Sequence, residues 1–428
     1  MKTKLFWTLL SWLLVGAIAL VACVRTSTSD PTSVLPTEVP TEEPTEVPTE
    51  VSPTEIPDPT EEPIEPPNLV IWVDDVLAFS LEPLVEDFFN EHGVNLEIQQ
   101  VSFGDIRERI KVAGPVGEGP DVFIGAHEWL GELVAYGLVA EVDLSDLADQ
   151  FLPASLQAFT YEGVLYGMPY ATDNVAFVYN PDIVAKAPET WDEVFTLSEA
   201  GPGYVIQSKN PYYFFPLMTS YGGYVFGVTQ EGYDPSDLGI DSEGTIEAAK
   251  YLEDMVNAGL LAPGIDYEML HTLFETGDAS MIITGVQSLP RIRESNVRYV
   301  VTSIPAGDEG PGRPLLSVQG FMINAFSENK LIAQTLLNEF IASDVVMQAL
   351  YDANSQPSAW LSVREAITDP DLAGFASAGS DGYPLPAIPE MSSVWIPWGF
   401  AIEQVINGTD TPESAFIWAA EQIRAEID

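Results

Sequence analysis

The sequence predicts a layered α/β fold of two lobes, preceded by a processing leader and a proline-rich tether. Apolar segments of strand and helix character alternate from residue 68 to the C-terminus, a pattern typical of layered α/β proteins. That region has 361 residues, more than one domain usually holds, which favours two lobes. With 46% hydrophobic residues in a chain of 428, there is enough apolar material for two cores.

The leader occupies residues 1–23. Two lysines precede an apolar run over residues 5–22 that is long enough to span a bilayer, so a transmembrane anchor is one alternative. The run ends in the tetrapeptide LVAC, which resembles the lipobox of bacterial lipoproteins and places the chain's one cysteine, Cys23, at the lipidation position. This resemblance implies export and a lipid anchor at the cell membrane, at its outer face or in a periplasm.

The tether occupies residues 24–67 and contains eleven prolines, eleven acids and one base. Proline removes backbone donors and the acids repel one another, so this segment is expected to be an extended, hydrated spacer. Docking of a partner on its proline motifs is the alternative. Without the leader and tether the chain keeps 54 acids and 13 bases, so the globular part is itself strongly acidic.

Local patterns predict the elements from residue 68 onward. Apolar residues from Leu81 to Phe89 follow helical spacing until Gly93, which ends the helix. Thr190 and Glu193 form a capping box at the start of another helix. The predicted strands are 68–73, 95–101, 120–125, 176–179, 204–207, 279–284, 298–304 and 320–325. The other predicted helices are 128–136 and 414–427, the last one starting after Thr411 and Pro412.

Composition excludes several functions. The 65 acids against 16 bases give a formal net charge of −49, which would repel a nucleic acid over most of the molecule. One cysteine and three histidines give little support for a metal site, and we expect neither a metal nor a cofactor. Phosphate-loop, nucleophile-elbow, zincin and dinucleotide motifs are absent from the sequence. A glycosidase needs only two placed carboxylates, so an enzyme of that class stays open.

Seven sequence blocks occur in a fixed order along this region. They are LVIWVDD (69–75), GEGPDVFIGAHEWLGEL (117–133), LYGMPYATDNVAFVYN (165–180), TWDEV (190–194), YGGYVF (221–226), FETGDASM (274–281) and IPEMSSVW (388–395). Together they resemble the extracellular solute-binding proteins of ABC sugar importers, in particular the maltose and maltodextrin-binding branch. The third block departs from the family signature at Tyr170, where a smaller aliphatic residue is usual.

The resemblance implies a periplasmic-binding-protein-like fold with a hinge between two discontinuous α/β lobes. Lobe 1 is expected over residues 68–172 and 320–368, and lobe 2 over residues 176–316 and 372–428. The implied function is that of a monomeric receptor, not an enzyme, that captures a maltodextrin-like oligosaccharide in the cleft and delivers it to an ABC permease. Another neutral sugar, a polyol or a peptide is an alternative ligand, and a surface glycosidase is an alternative function.

A glucose chain presents apolar C–H faces and hydroxyl edges, so its site needs aromatic rings and carboxylates. The acids lie at the ends of predicted strands, where open α/β sheets bind ligands. His127 is expected to pack behind the site. The ligand-binding residues that the blocks imply are Asp74, Asp75, Glu128, Trp129, Asp173, Tyr212, Gln287, Trp395 and Trp398.

The chain departs from the enteric maltose-binding pattern in several places. Gly125 replaces a tryptophan, and Asn210 stands where an acid is expected. The segment TGVQ (284–287) lacks the tryptophan that is usual there, and Gly399 replaces an arginine. These changes relocate stacking and remove cations. Because Gly125 opens space and Trp129 supplies a new ring, cyclic or longer maltodextrins are expected to suit the site at least as well as maltose.

Overall fold

The computed structural model describes residues 66–229 and 232–427. The predicted leader with Cys23, and residues 24–65 of the predicted tether, lie outside the described residues. Within the described part, no helix has both the length and the apolar character needed to cross a membrane.

The strands of the described chain are numbered in chain order. They are β1 (Asn68–Val73), β2 (Asn95–Gln100), β3 (Val122–Ala126), β4 (Val139–Ala140), β5 (Thr160–Tyr161), β6 (Val164–Leu165), β7 (Met168–Asp173), β8 (Val175–Tyr179), β9 (Tyr204–Val205), β10 (Phe226–Thr229), β11 (Gly232–Leu238), β12 (Met281–Gly285), β13 (Val300–Thr302), β14 (Ala306–Gly307), β15 (Gly310–Pro311), β16 (Leu315–Asn324) and β17 (Tyr383–Pro384).

The α-helices are numbered in the same way, and short 3₁₀ turns and one π-helical stretch, Leu336–Ile341, adjoin several of them. They are α1 (Asp75–Leu81), α2 (Val85–His92), α3 (Phe103–Ala113), α4 (Leu130–Ala135), α5 (Pro153–Ala158), α6 (Trp191–Ala200), α7 (Pro211–Ser220), α8 (Glu243–Asn257), α9 (Tyr267–Thr276), α10 (Leu289–Glu294), α11 (Lys330–Thr335), α12 (Asp344–Asn354), α13 (Leu361–Glu365), α14 (Pro370–Ala378), α15 (Trp395–Ile406) and α16 (Pro412–Ile427).

The first sheet has the strand order β17-β16-β3-β1-β2, and β4 and β7 also pair with β16. Strands β1, β2 and β3 run parallel, as strands joined through helices do. The long strand β16 is antiparallel to β3, β4 and β7. One hydrophobic core, from Leu69 to Val363, surrounds this sheet.

The second sheet has the order β13-β8-β12-β9 and is covered on both faces. The structure explains why the sequence of strand β8 is apolar throughout. Val175, Phe177 and Tyr179 point into one core, whereas Ala176 and Val178 point into a second core on the other face. This alternation follows from the two-residue period of a strand, and a strand buried on both faces needs a continuous apolar run.

The chain crosses three times between the part around the first sheet and the part around the second. The first crossing joins β7 to β8 through Asn174, and the second lies within β16, where Leu315 packs in the second part and Leu316 in the first. The third lies between Val363 and Leu372. Each part is therefore built from discontinuous segments, with three connections side by side.

Most of the predicted elements were confirmed. Strand β1 has the predicted bounds, and Gly93 ends α2 in the left-handed conformation with φ of 66°. Thr190 caps α6 through the backbone N–H of Glu193, whose carboxylate accepts from the N–H of Glu189. Three strand predictions had wrong extents. The strand expected at 204–207 is limited to β9, the strand expected at 298–304 is limited to β13, and the strand expected at 320–325 is the second half of β16.

Candidate functional site

Two carboxylates meet where three strands of the first sheet end or begin. Strand β7 ends at Asp173, which is paired with Ser317 near the start of β16. Strand β3 leads into the 3₁₀ turn His127–Trp129, which carries Glu128. The Ser317 hydroxyl donates to Oε1 of Glu128, so both predicted acids lie around one serine.

Each of these acids keeps a buried oxygen without a protein partner. Oδ1 of Asp173 and Oε2 of Glu128 are buried and accept no hydrogen bond from the described residues. The pKa of Asp173 is raised to about 6, because burial and the charge of Glu128 raise it by more than the backbone N–H of Asn174 lowers it. The pair therefore presents acceptors that a hydroxyl donor could satisfy.

His127 lies directly behind Glu128 but does not neutralise it. Its Nδ1 accepts from the backbone N–H of Val318 at 3.0 Å, and its Nε2 donates to the carbonyl of Leu385 at 2.9 Å. These two bonds assign the neutral tautomer, because Nδ1 must be unprotonated to accept. The 3.4 Å approach of Nδ1 to Oε2 of Glu128 is therefore not an ion pair. His127 is fully buried and holds the turn in place, as expected from the sequence.

Helix α7 brings tyrosines from the second part of the fold to the same carboxylates. Asn210, which stands where an acid was expected, caps this helix by accepting from the backbone N–H of Tyr212 at 3.1 Å. The Tyr212 hydroxyl donates to the carbonyl of Leu315. Burial raises the pKa of Tyr212 strongly, and the charges of Asp173 and Glu128 raise it further. Tyr212 thus lies beside both acids.

A cavity of about 560 Å³ extends from Glu128 between the two parts of the fold. Glu128, Arg107 and Tyr136 line it from the first part, and Trp395 at the start of α15 lines it from the second. Trp395 is half-buried, so one face of its ring is available. An aromatic ring and a carboxylate that face one cavity are the pairing expected of a carbohydrate site.

Trp398 is not a cavity residue, and the prediction that it stacks on a ligand was wrong. Its side chain is 0% exposed and packs in the core of the second part. Its ring lies nearly parallel to that of Trp395, with centroids 6.2 Å apart. Trp398 therefore supports the ring of Trp395 from behind.

The structure also corrects the prediction that Gly125 opens space for a ligand. A Cβ at Gly125 would lie 2.8 Å from the Trp129 ring and 2.4 Å from Cε of Met322, so these side chains already fill the space. The other neighbour of the Trp129 ring is Phe103, with centroids 5.0 Å apart. Trp129 is half-buried and substitutes for the missing tryptophan instead of adding a ring to an enlarged cavity.

The remaining predicted site residues have other contacts in the structure. Asp74 caps α1 by accepting from the backbone N–H of Leu77 at 2.8 Å, and Asp75 is exposed on the same helix. Gln287 is exposed after β12 and folds back over Gly285. Ligand contacts of Asp74, Asp75 and Gln287 therefore stay predictions.

Sequence reasoning missed two buried polar residues of the second part of the fold. Gln207 is hydrogen-bonded to Asn210, and Tyr213 lies near Asp173. The signal that could have found Gln207 is its position just after β9, because ligands bind at the carboxyl ends of strands. The phenol of Tyr213 lies next to Gln207 and Thr284, and burial raises its pKa to about 12. No cluster of three or more metal-ligating side chains occurs in the described chain.

Two α/β lobes around a cavity lined by rings and carboxylates define a two-lobed binding protein. The chain belongs to the family of bacterial extracellular solute-binding proteins, which matches residues 83–373.

The relatives and solved structures to which it is similar agree with this assignment. It is 28% identical over 380 residues to a galactooligosaccharide-binding protein of Bacillus subtilis, covering 84% of this chain and 89% of that one. It is 30% identical over 322 residues to a maltotriose-binding protein of Pyrococcus abyssi, covering 71% and 69%. A cyclo/maltodextrin-binding protein complexed with maltotetraose superimposes with a TM-score of 0.79 at 26% identity, covering 85% of this chain and 98% of that chain. A Staphylococcus aureus solute-binding protein in complex with maltose gives the same values.

Proposed function

We propose that this protein captures maltodextrin-type oligosaccharides outside the cell and delivers them to the permease of an ABC importer. The observation that carries the proposal is the pair Glu128 and Asp173, each of which keeps a buried oxygen without a partner among the described residues. Tyr212 lies beside both acids, and Trp395 lines the same cavity as Glu128. Charge-assisted hydrogen bonds from sugar hydroxyls to these oxygens would each contribute roughly 1.5–3 kcal/mol once water is excluded.

The binding mechanism requires closure but no reaction. The lobes, 68–172 with 320–368 and 176–316 with 372–428, would rotate about the three crossings and bring Trp395 over a sugar held by Glu128. Stacking on this ring would contribute on the order of 1 kcal/mol beyond the area buried. The low number of lysines and arginines favours a neutral ligand over an anionic one.

The relatives support two classes of oligosaccharide. One is named for galactooligosaccharides and another for maltotriose, while the solved structures contain maltotetraose and maltose. We therefore propose a maltodextrin as the ligand and a galactosyl oligosaccharide as the second candidate. A monomer acting alone is sufficient, because both walls of the cavity belong to one chain.

Isothermal titration with maltotriose, maltohexaose, a cyclodextrin and a galactosyl oligosaccharide tests the ligand class. We expect micromolar or tighter binding of at least one linear maltodextrin. Heat from the galactosyl oligosaccharide alone would move the assignment to the second candidate. No heat from any of the four, with clear binding of a polyol or peptide, would remove the oligosaccharide assignment.

The glycosidase alternative is tested on the same preparation. Maltohexaose is incubated with the protein for a day and its length is followed by chromatography. We expect an unchanged oligosaccharide, in keeping with a family of solute-binding proteins. Shortened products that disappear in the Asp173→Asn variant would show that the acids are catalytic.

We also propose that the mature chain begins at a lipidated Cys23 and that the acidic tether spans the distance to the folded part. At about 3.1 Å per residue, 44 residues of extended chain would reach roughly 130 Å. Expression of the full chain in a bacterium, followed by detergent phase partition, tests this. Wild type should enter the detergent phase and Cys23→Ala should not, and equal partition of the two would contradict the anchor.

A further inference from the structure

Asn174 is the one residue between the last strand of the first part and the first strand of the second. Strand β7 ends at Asp173, and strand β8 starts at Val175. The side chain of Asn174 is 2% exposed, so it is packed inside this crossing. A rotation of the two parts about the crossing changes backbone dihedral angles at or beside Asn174, and it therefore redirects this side chain.

The amide of Asn174 is held against the C-terminal end of helix α14. Its Nδ2 donates to the carbonyl of Phe375 at 3.0 Å and to the carbonyl of Val175 at 3.1 Å. Carbonyl oxygens can only accept, so these two contacts assign the atom as nitrogen. The Phe375 carbonyl belongs to the last turn of α14, where side chains often supply donors that the helix lacks.

Gly379 allows α14 to pack closely against this amide. It follows the last residue of α14, and a Cβ at this position would lie 2.2 Å from Oδ1 and 2.7 Å from Cγ of Asn174. The φ of Gly379 is −90°, which a residue with a side chain also adopts. What a larger residue would disturb here is therefore the contact with Asn174 and not the backbone conformation.

The amide of Asn174 is only half satisfied in this arrangement of the two parts. Its Oδ1 is buried and has no hydrogen-bond partner in residues 66–229 or 232–427. Buried acceptors are usually paired, so this one costs free energy that the bonds of Nδ2 offset. A rotation that turns the amide away from Phe375 would lose those bonds and offer Oδ1 new donors. The two arrangements are thereby brought closer in free energy, as a hinge that a ligand shifts requires.

A second buried side chain holds the same helix end from the first part. Arg364 on α13 donates to the hydroxyl of Thr172 on β7 and to the carbonyl of Ala376 on α14. The two acceptors belong to different parts of the fold, so a rotation about the crossings must change at least one of these bonds. The end of α14 is thus the place where both parts are joined by side-chain hydrogen bonds.

We propose that the contact of Asn174 with Phe375 and Gly379 is a hinge latch, which holds the two parts open and is released when they close on a sugar. The cavity of about 560 Å³ between the two parts leaves room for that closure. This inference rests on the proposed function and adds the contact that regulates the affinity of the site from a distance. Affinity falls in proportion as the closed form is rarely populated, so a weaker latch should tighten binding.

The test is a double-mutant cycle of Gly379→Ala and Asn174→Ala in the full chain, with two readouts. Residual dipolar couplings from the two parts of the sugar-free protein give their relative orientation, and isothermal titration with maltotriose gives the affinity. Gly379→Ala pushes the amide away from α14, whereas Asn174→Ala leaves no amide to push. The matched controls are Gly104→Ala, where a Cβ meets no atom within 4 Å, and Asn90→Ala on the exposed face of α2.

We expect Gly379→Ala to rotate the sugar-free parts toward the sugar-bound orientation and to bind maltotriose at least about threefold more tightly, with both controls unchanged. Asn174→Ala should change both readouts in the same direction, and adding Gly379→Ala to it should have no further effect. Asn174→Ala introduces no clash, so its orientation decides the question if Gly379→Ala does not fold.

An unchanged or more open orientation in the single variants would overturn the inference. An effect of Gly379→Ala that is equally large without Asn174 would also overturn it, because the amide would then not be the group that the new methyl displaces. If wild type binds no sugar, the proposed function fails, and the couplings of the sugar-free variants still show whether the latch holds the two parts.

Discussion

Asp173 is paired across the first sheet with Ser317, and the hydroxyl of Ser317 donates to the Glu128 carboxylate. The two acids therefore share one small polar region from which most water is excluded. Burial and the charge of Glu128 both disfavour ionisation of Asp173, which explains its raised pKa of about 6. An acid that titrates near neutral pH makes the site sensitive to acidity.

We expect sugar affinity to fall about tenfold between pH 7 and pH 5. Ionised Asp173 is the form that accepts from a ligand hydroxyl, and the apparent dissociation constant rises as this form becomes scarce below a pKa of about 6. The stability of the ligand-free protein changes with pH in the opposite direction. Because the folded pKa lies above the ordinary value of 3.8, this group's contribution is largest below pH 4 and is lost as the pH rises through 6.

Titration of maltotriose at half-unit steps of pH checks the affinity, with Asp173→Asn as the variant and the exposed Asp410→Asn as its control. Asp173→Asn should bind more weakly at pH 7 and lose the pH dependence, whereas Asp410→Asn should follow wild type. An affinity that stays constant from pH 7 to pH 5 in wild type would show that protonation of Asp173 does not control sugar binding in this range.

Trp395→Ala should weaken sugar binding tenfold or more, about 1.4 kcal/mol, while the protein stays folded. The ring of Trp395 is half-buried at the cavity, so its removal takes away a stacking surface and little of the core. Isothermal titration gives the affinity and thermal unfolding reports the fold.

Trp398→Ala is the matched control, because it removes the same type of ring three residues away. Trp398 is fully buried, so its loss leaves a large cavity and should cost about 3–5 kcal/mol of the free energy of unfolding. Chemical denaturation measures that loss. A stable Trp398→Ala protein that no longer binds sugar would mean that Trp398, and not Trp395, is the ring that stacks on the ligand.

Local sequence patterns predicted helix ends that depend on one or two residues better than they predicted the extent of strands. Gly93 and Thr190 mark helix ends through backbone geometry and a side-chain hydrogen bond, and both are local. Strand β16 was recognised only from residue 320, because Ser317 and Gln319 interrupt its apolar pattern. Those two residues pair with residues of β3 and β7 that are distant in sequence, and a local sequence pattern cannot predict such long-range pairing.

The site residues, too, were predicted where a local pattern is sufficient and missed where tertiary packing decides. Glu128 and Asp173 could be nominated because each follows a predicted strand. The error at Trp398 arose because residues three apart share one side of a helix, and tertiary packing alone decides which ring faces the cavity. Gln207 was missed because its place beside Asn210 and Tyr213 depends on how α7 packs, which no local sequence pattern encodes.

Arg364→Lys should lower the free energy of unfolding by at least about 2 kcal/mol. Arg364 is buried and donates to the Thr172 hydroxyl and to the carbonyls of Ser358 and Ala376, and burial lowers its pKa to about 10. It thus links β7 of the first part to α14, which packs on the second sheet. An ammonium cannot reach three acceptors that suit a planar guanidinium, and the unpaired ones would cost free energy.

Urea unfolding measures this change, and Arg298→Lys provides the control. Arg298 is exposed and forms a surface ion pair with Asp182, so its replacement should alter stability by no more than about 0.5 kcal/mol. Equal stabilities for the two lysine variants would mean that the carbonyl contacts of Arg364 contribute nothing to the link between the two parts.

Gly125→Ala should destabilise the protein by about 1–3 kcal/mol and weaken sugar binding, because the new methyl group would clash with Met322 and the Trp129 ring. The ring must then move from its place beside Glu128. Gly104→Ala on α3 is the control, since a Cβ there meets no atom within 4 Å and alanine favours a helix. Denaturation and tryptophan fluorescence follow both variants. A Gly125→Ala protein as stable as Gly104→Ala, with unaltered fluorescence, would show that Trp129 is not held against Gly125.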